Sequence, residues 1–212
     1  MNLHKILGAV MIAASCLLAC KKDKYIEETG LHATSTSQTT YEYLQSEGQF
    51  DTLVSLINHF NLKDSVNKSA TIFAFTDYAA KLFMQDAGIG SLPAFYDSVS
   101  SGFITQYLFG SQIGESDLGL VPAAYPNWGG SKAPCSLWKI ENLQYVYLTS
   151  SAPAFSYYRI QYKSVMGVDD EAPGRPSGDP TDITLTCQST GLLTSTNSLV
   201  HVFANNVRLR KL

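Results

Sequence analysis

Most signatures of catalysis are missing from this chain of 212 residues. It has no Gly-x-Ser-x-Gly elbow, no His-Glu-x-x-His pair, no phosphate loop and no dinucleotide fingerprint. Histidine is scarce and scattered, at His4, His32, His59 and His201. No acid or thiol is spaced to work with His201, which therefore reads as a core histidine with a satisfied nitrogen rather than a ligand or base. Lys and Arg do not cluster and the formal charge is −3, which argues against nucleic acid as a partner. No apolar stretch reaches the roughly 20 residues a spanning helix needs. There is no internal repeat. The acidic stretch Asp169-Asp170-Glu171, with Asp179 and Asp182 beyond, lacks the alternation and glycine of a calcium loop. Pro173, Gly174, Pro176, Gly178 and Pro180 mark it as a solvated, irregular loop. No metal and no cofactor are expected.

Cysteine is also sparse, and its first two positions lie in and just after an apolar leader. Lys5 precedes an uncharged run from Ile6 to Leu18, the length of a secretory h-region. Leu17-Leu18-Ala19-Cys20 then resembles a bacterial lipobox, which implies a lipoprotein signal peptide over residues 1–19, cleavage before Cys20 and acylation of its sulfur. Lys21, Lys22, Asp23, Glu27 and Glu28 resemble the start of outer-membrane lipoproteins in Bacteroidetes-type bacteria, many of them displayed at the cell surface. The expected location is thus the outer membrane, facing the exterior, with the membrane itself a partner through the lipid. Residues 20–38 are read as a tether, since Thr29 to Thr40 is rich in Ser, Thr and Gln with little to bury. Removing residues 1–19 leaves 193, enough for one domain, placed at 39–212. Cys135 and Cys187 remain as either a disulfide or two buried thiols. Ile183, Leu185 and Cys187 alternate with Thr184 and Thr186, so Cys187 points inward from a strand.

Within the domain, Phe50, Leu53, Ile57 and Phe60 recur at helical spacing and predict a helix ending near Asn61, after a shorter turn over Tyr41 to Ser46 capped by Thr40. Ala70 to Phe75 reads as a buried strand. Thr76 or Asp77 then caps a helix carrying Ala79, Leu82, Phe83 and Ala87 as far as Gly88. Phe95 to Phe109 has helical spacing, split at Ser100-Ser101-Gly102. Strand-like runs follow at Leu137 to Thr149, Phe155 to Lys163, Asp182 to Cys187 and Leu199 to Leu209. Helices with one early strand, then mostly sheet, define an α+β fold.

Two stretches resemble the signatures of fasciclin domains. Thr71-Ile72-Phe73-Ala74-Phe75-Thr76-Asp77 is similar to the first, and Asn197-Ser198-Leu199-Val200-His201-Val202 to the second, with Tyr107 where the family has its central helix. The resemblance covers about Thr39 to Leu212 with an insertion at about 119–180. It implies a twisted β-sandwich or wedge with several helices packed on it, the two signatures lying side by side as neighbouring strands. Thr71, Phe73, Thr76, Asp77, Tyr107, Asn197 and His201 are then structural signature residues. Phe75 stands in place of the usual proline and Ser198 in place of glycine. Leu108 follows Tyr107 where many members have the histidine of a Tyr-His pair tied to cell adhesion in animal members.

Aromatics are the surplus with a use to find. Tyr125, Trp128 and Trp138 lie in or beside the insertion, and Trp128 sits in the turn-rich Pro126-Asn127-Trp128-Gly129-Gly130. Rings exposed on a secreted protein stack on sugars or pack at interfaces. Trp138, beside Ile140 in a strand, is the more readily buried. The expected function is a non-catalytic, lipid-anchored surface protein that binds another surface protein or a polysaccharide. An accessory carbohydrate-binding lipoprotein of a glycan uptake system ranks second and a hydrolase third.

Overall fold

The computed structural model describes residues 34–145 and 154–211. The stretch read as a signal peptide, Cys20 and the expected tether up to residue 33 lie outside them, as do residues 146–149 of the run ending at Thr149. Residues from Thr34 onward group into one compact unit. Leu193 N–H donates to Thr34 O at 2.9 Å and Ser195 N–H to Gln38 O at 2.9 Å, so the last residues assigned to the tether are hydrogen-bonded to the sheet.

Helix α1 (Thr40–Ser46) is capped by Thr39, not Thr40. The Thr39 hydroxyl accepts from Glu42 N–H while Glu42 Oε2 accepts from Thr39 N–H at 3.0 Å, closing a capping box. Thr40 instead turns inward, its hydroxyl 3.0 Å from that of Thr194. Helix α2 (Asp51–His59) buries Leu53, Val54, Leu56 and Ile57, and the short α3 (Lys63–Lys68) follows. Strand β1 (Thr71–Ala74) is buried along its whole length and leads through the capping Thr76 into α4 (Asp77–Asp86). Helices α5 (Leu92–Ser98) and α6 (Gly102–Thr105) flank the expected break. The helical spacing read as far as Phe109 ends early, because Leu108–Phe109 forms β2 against β1. Phe73 N–H donates to Tyr107 O at 3.0 Å and Ala70 N–H to Phe109 O at 2.8 Å, and satisfying that buried strand outweighs two more residues of helix.

Strands β3 (Ala123–Ala124), β4 (Cys135–Tyr145), β5 (Ala154–Ser164), β6 (Ile183–Leu193) and β7 (Leu199–Phe203) complete the sheet. Its order is β2-β1-β7-β6-β5-β4-β3, one continuous curled sheet with the helices beside it, in keeping with the expected α+β class. Strand β6 outruns its predicted end at Cys187. Its first residues pair with β5 and its later ones with β7, with register shifts after Cys187 and Ser189 that bend it from one neighbour to the other. Strand β7 stops at Phe203, short of the predicted Leu209, and the chain runs on without regular structure while burying Val207 and Leu209. The stretch 119–180, read as an insertion, supplies β3, β4 and β5. It shares the one core through Cys135, Leu137, Ile160 and Tyr162.

Strands β1 and β7 are parallel neighbours, with Thr71 opposite Leu199 and Phe73 opposite His201. The concave side of the curl is filled by rings. Phe73, Tyr107, Tyr162 and Phe203 form contacts with centroids 5.4 to 5.7 Å apart, two of them edge-to-face, each such pair worth about 1 kcal/mol beyond its burial. Cys135 and Cys187 face the same core as free thiols, so the disulfide alternative is set aside. They sit on β4 and β6 with β5 between, about 10 Å apart from strand spacing alone, beyond the roughly 7 Å a disulfide spans.

Candidate binding surface

The signature residues serve the scaffold. Thr71 Oγ1 donates to Ser111 O and accepts from Ile113 N–H, both at 2.9 Å, fixing the segment after β2. Thr76 Oγ1 accepts from Ala79 N–H and donates to Asn205 Oδ1 at 2.8 Å, tying the start of α4 to the end of β7. Asp77 does not cap its own helix. Its carboxylate accepts from Thr52 N–H at 2.6 Å and from Asp51 N–H at 3.2 Å, capping α2. Tyr107 is buried under Phe75 and Phe203, and burial pushes its phenol well above the usual range. Asn197 takes the left-handed conformation, φ 59°, one residue before Ser198, where asparagine tolerates it.

His201 is wholly buried, with both ring nitrogens engaged. Gly191 N–H donates to Nδ1 at 3.1 Å, so Nδ1 carries the lone pair and Nε2–H donates to Ile113 O at 2.8 Å. Burial, only partly opposed by the Ile113 carbonyl, lowers its pKa from 6.5 to about 4. This neutral tautomer is spent on structure, as the sequence suggested.

The acidic loop is more ordered than its glycines and prolines implied. It folds around two cations. The ammonium of Lys163, only 4% exposed as a residue, lies 2.7 Å from Asp169, 3.5 Å from Glu171 and 3.8 Å from Asp182. Burial works against that charge, but the Asp169 hydrogen bond and the surrounding carboxylates outweigh it and raise the Lys163 pKa above its ordinary value. The same hydrogen bond holds Asp169 below the usual carboxylate range. Arg175 pairs with Asp170 and Asp179. Among the described residues no three His, Cys, Asp or Glu side chains are grouped to hold a metal.

The three aromatics proposed for binding are not equivalent. Trp128 is 40% exposed. Its backbone is fixed where the two sheet edges approach each other: Trp128 N–H donates to Leu108 O at 2.9 Å, and Asn127 bridges to Phe109. The Asn127 side chain, itself nearly buried, donates to Ala133 O at 2.7 Å and accepts from Gly129 N–H at 2.9 Å, locking the turn that presents the indole. A Cβ at Gly110 would stand 3.4 Å from Trp128 Nε1. Tyr125 is half-buried against the core, its hydroxyl 3.4 Å from Asp117 O. Trp138 is half-buried on β4, opposite Gln161, which is bonded to Thr186. The alternation that buries Cys135 and Leu137 sends Trp138 to the other side.

Exposed Leu120, Val121 and Tyr157 escaped the sequence reading, because nothing local distinguishes an exposed aliphatic residue from a buried one. A groove of about 260 Å³ at the C-terminal end of α4 is lined chiefly by Phe83, Met166, Ile183 and Leu209. Its Arg210 guanidinium is turned onto Ser164 Oγ and Val165 O. Among the described residues no helix is long and apolar enough to cross a membrane. Neither a protein-family model nor a curated protein sequence matches the chain.

Proposed function

We propose that this chain is a non-catalytic, lipid-anchored protein of the cell surface, fasciclin-like in architecture, whose folded unit binds a surface polysaccharide through Trp128. The parallel pairing of β1 with β7, with Phe73 opposite His201, supports the architectural part of the reading. The lipobox-like Leu17-Leu18-Ala19-Cys20 supports the anchor. The observation that carries the binding role is the indole of Trp128, exposed on a backbone held by the Leu108 carbonyl and the Asn127 amide. A ring carried on a backbone already fixed leaves less freedom to lose on stacking against a sugar than one on a mobile loop. Polysaccharide is preferred to a protein partner because a single exposed indole on a fixed turn is enough to stack on one sugar ring, whereas a protein interface needs a far larger surface.

Affinity electrophoresis tests this reading. The native protein should be retarded in gels containing a recognised polysaccharide and the Trp128→Ala protein should migrate freely, whereas Trp138→Ala should remain retarded. Equal migration of native and Trp128→Ala proteins in every polysaccharide gel would remove the site.

A further inference from the structure

Strands β4 and β5 pair along all 11 residues of each, from Cys135↔Ser164 to Tyr145↔Ala154. Their neighbours stop short. Strand β3 pairs with β4 only at Ser136 and Leu137, and β6 pairs with β5 only from Gln161 to Ser164 before it bends across to β7. From Lys139 and Ile160 outward the two strands therefore run on as a ribbon, with no third strand among the described residues. A two-stranded ribbon is marginal in water, and an open strand edge is a template for another strand.

The two edges of the ribbon differ. On β4, Lys139 N–H donates to Gly119 O at 2.9 Å and Glu141 stands exposed, the kind of charge that guards an edge. On β5 the open stretch is residues 154–160, with Pro153 before it and the pairing to β6 after it. Its one charge, Arg159, is turned away from that edge, with Nη2 donating to Asn142 Oδ1 of β4 at 2.9 Å. Tyr157 is 43% exposed. Val165 N–H donates to Pro134 O at 3.0 Å, so the odd-numbered residues of β5 direct their peptide groups at β4. By alternation Ala154, Ser156 and Tyr158 direct theirs at the open edge, where no described strand meets them.

We propose that this edge of β5 pairs with the same edge of a second copy of the chain, antiparallel and centred on Tyr157. A second copy is the occupant because the edge is complementary to itself. An antiparallel copy sets Ser156 opposite Tyr158, so edge N–H groups meet edge C=O groups in both directions. Arg159 falls opposite residue 155 and the two Arg159 positions stay about 13 Å apart, whereas a parallel copy in register sets the like charges side by side. The open stretch is used from end to end, since Pro153 of one copy falls opposite Gln161 of the other, where β6 takes over. The result is a twofold contact that joins two marginal ribbons into one sheet of four strands.

The test uses the chain from residue 20 with Cys20→Ser, which retains the whole compact unit and leaves only the buried thiols Cys135 and Cys187. Tyr157→Cys sets a thiol opposite its own copy in a non-hydrogen-bonded pair, with Cα atoms about 4.5 Å apart, inside the range a disulfide spans. Mild oxidation should convert this variant to a disulfide dimer on a non-reducing gel, while Arg159→Cys should stay monomeric. Tyr158→Pro removes an N–H directed at the open edge and spares the ladder to β4. Added to Tyr157→Cys, it should abolish the dimer while circular dichroism shows the fold retained. A Tyr157→Cys protein that stays monomeric, or equal dimer from the 157 and 159 variants, would overturn the pairing. Cross-linking at 157 that survives Tyr158→Pro would overturn it too.

Discussion

The carboxylate of Asp77 accepts the backbone N–H of Thr52 at 2.6 Å, so the first residue of α4 caps the start of α2. Thr76 is left to cap α4. Adjacent residues thus start two helices that are distant in sequence, and β1 is held between them.

Removing that carboxylate uncaps α2. Asp77→Ala should cost about 2 kcal/mol, the upper end for a capping residue. In a unit of this size that lowers the melting temperature by about 4–8 °C. Asp77→Asn, which keeps an acceptor oxygen, should lose less than half as much. Thermal unfolding followed by circular dichroism decides this, and an Ala variant as stable as the native protein would contradict the cap.

His201 makes stability depend on acid. Its pKa is lowered from 6.5 to about 4 in the fold, so the unfolded chain binds more protons between those values. The stability linked to neutral His201 is complete above pH 6.5 and is lost as the pH falls to about 4, an effect of about 3 kcal/mol. Urea midpoints between pH 4 and 7 should fall on acidification in the native protein. They should be nearly flat through the same window in His201→Gln, beyond a slope common to both proteins.

The two core thiols should be inert while the protein is folded. Burial raises Cys135 to about 11 and Cys187 further, and the thiolate is the reactive form. Iodoacetamide at pH 8 should leave both unmodified in the native protein and label both in urea, read by mass spectrometry of their peptides. Rapid labelling of either without denaturant would contradict the packing described above.

Gly167 tests the order of the acidic loop. It has φ +72°, and a Cβ there would overlap the Asp179 carboxylate, which accepts from Val168 N–H at 2.7 Å. Gly174 has a similar φ of +75° but open space around it. Both alanine variants bear the left-handed penalty of about 1–2 kcal/mol, and Gly167→Ala bears the collision as well. Equal urea midpoints for the two variants would mean that the loop is not held around Arg175 and Asp179.

Local pattern was enough to locate α2, α4, the split between α5 and α6, and the buried β1, because amphipathic spacing and capping residues act within a few positions. The same logic failed at Leu108–Phe109, whose helical spacing was overruled by the open edge of β1. Within 119–180 it located β4 and β5 but missed the two-residue β3, too short a run to carry an alternating pattern. For binding, the sequence singled out Trp128 by its turn, yet Leu120 and Val121 carried no local mark of exposure.

The order of residues by itself determined the α+β character, the inward-pointing Cys187 and a core histidine at position 201. Each follows from periodicity or from what stands nearby in the chain. Only the tertiary structure decided that Asp77 serves α2, that Lys163 and Arg175 gather the acidic loop, that β5 separates Cys135 from Cys187, and that Trp128 rather than Trp138 stands most open to solvent. The partner of a polar group and the exposure of a ring depend on residues brought together from distant positions by the curl of the sheet. Packing geometry sets those meetings, and no short-range pattern encodes it.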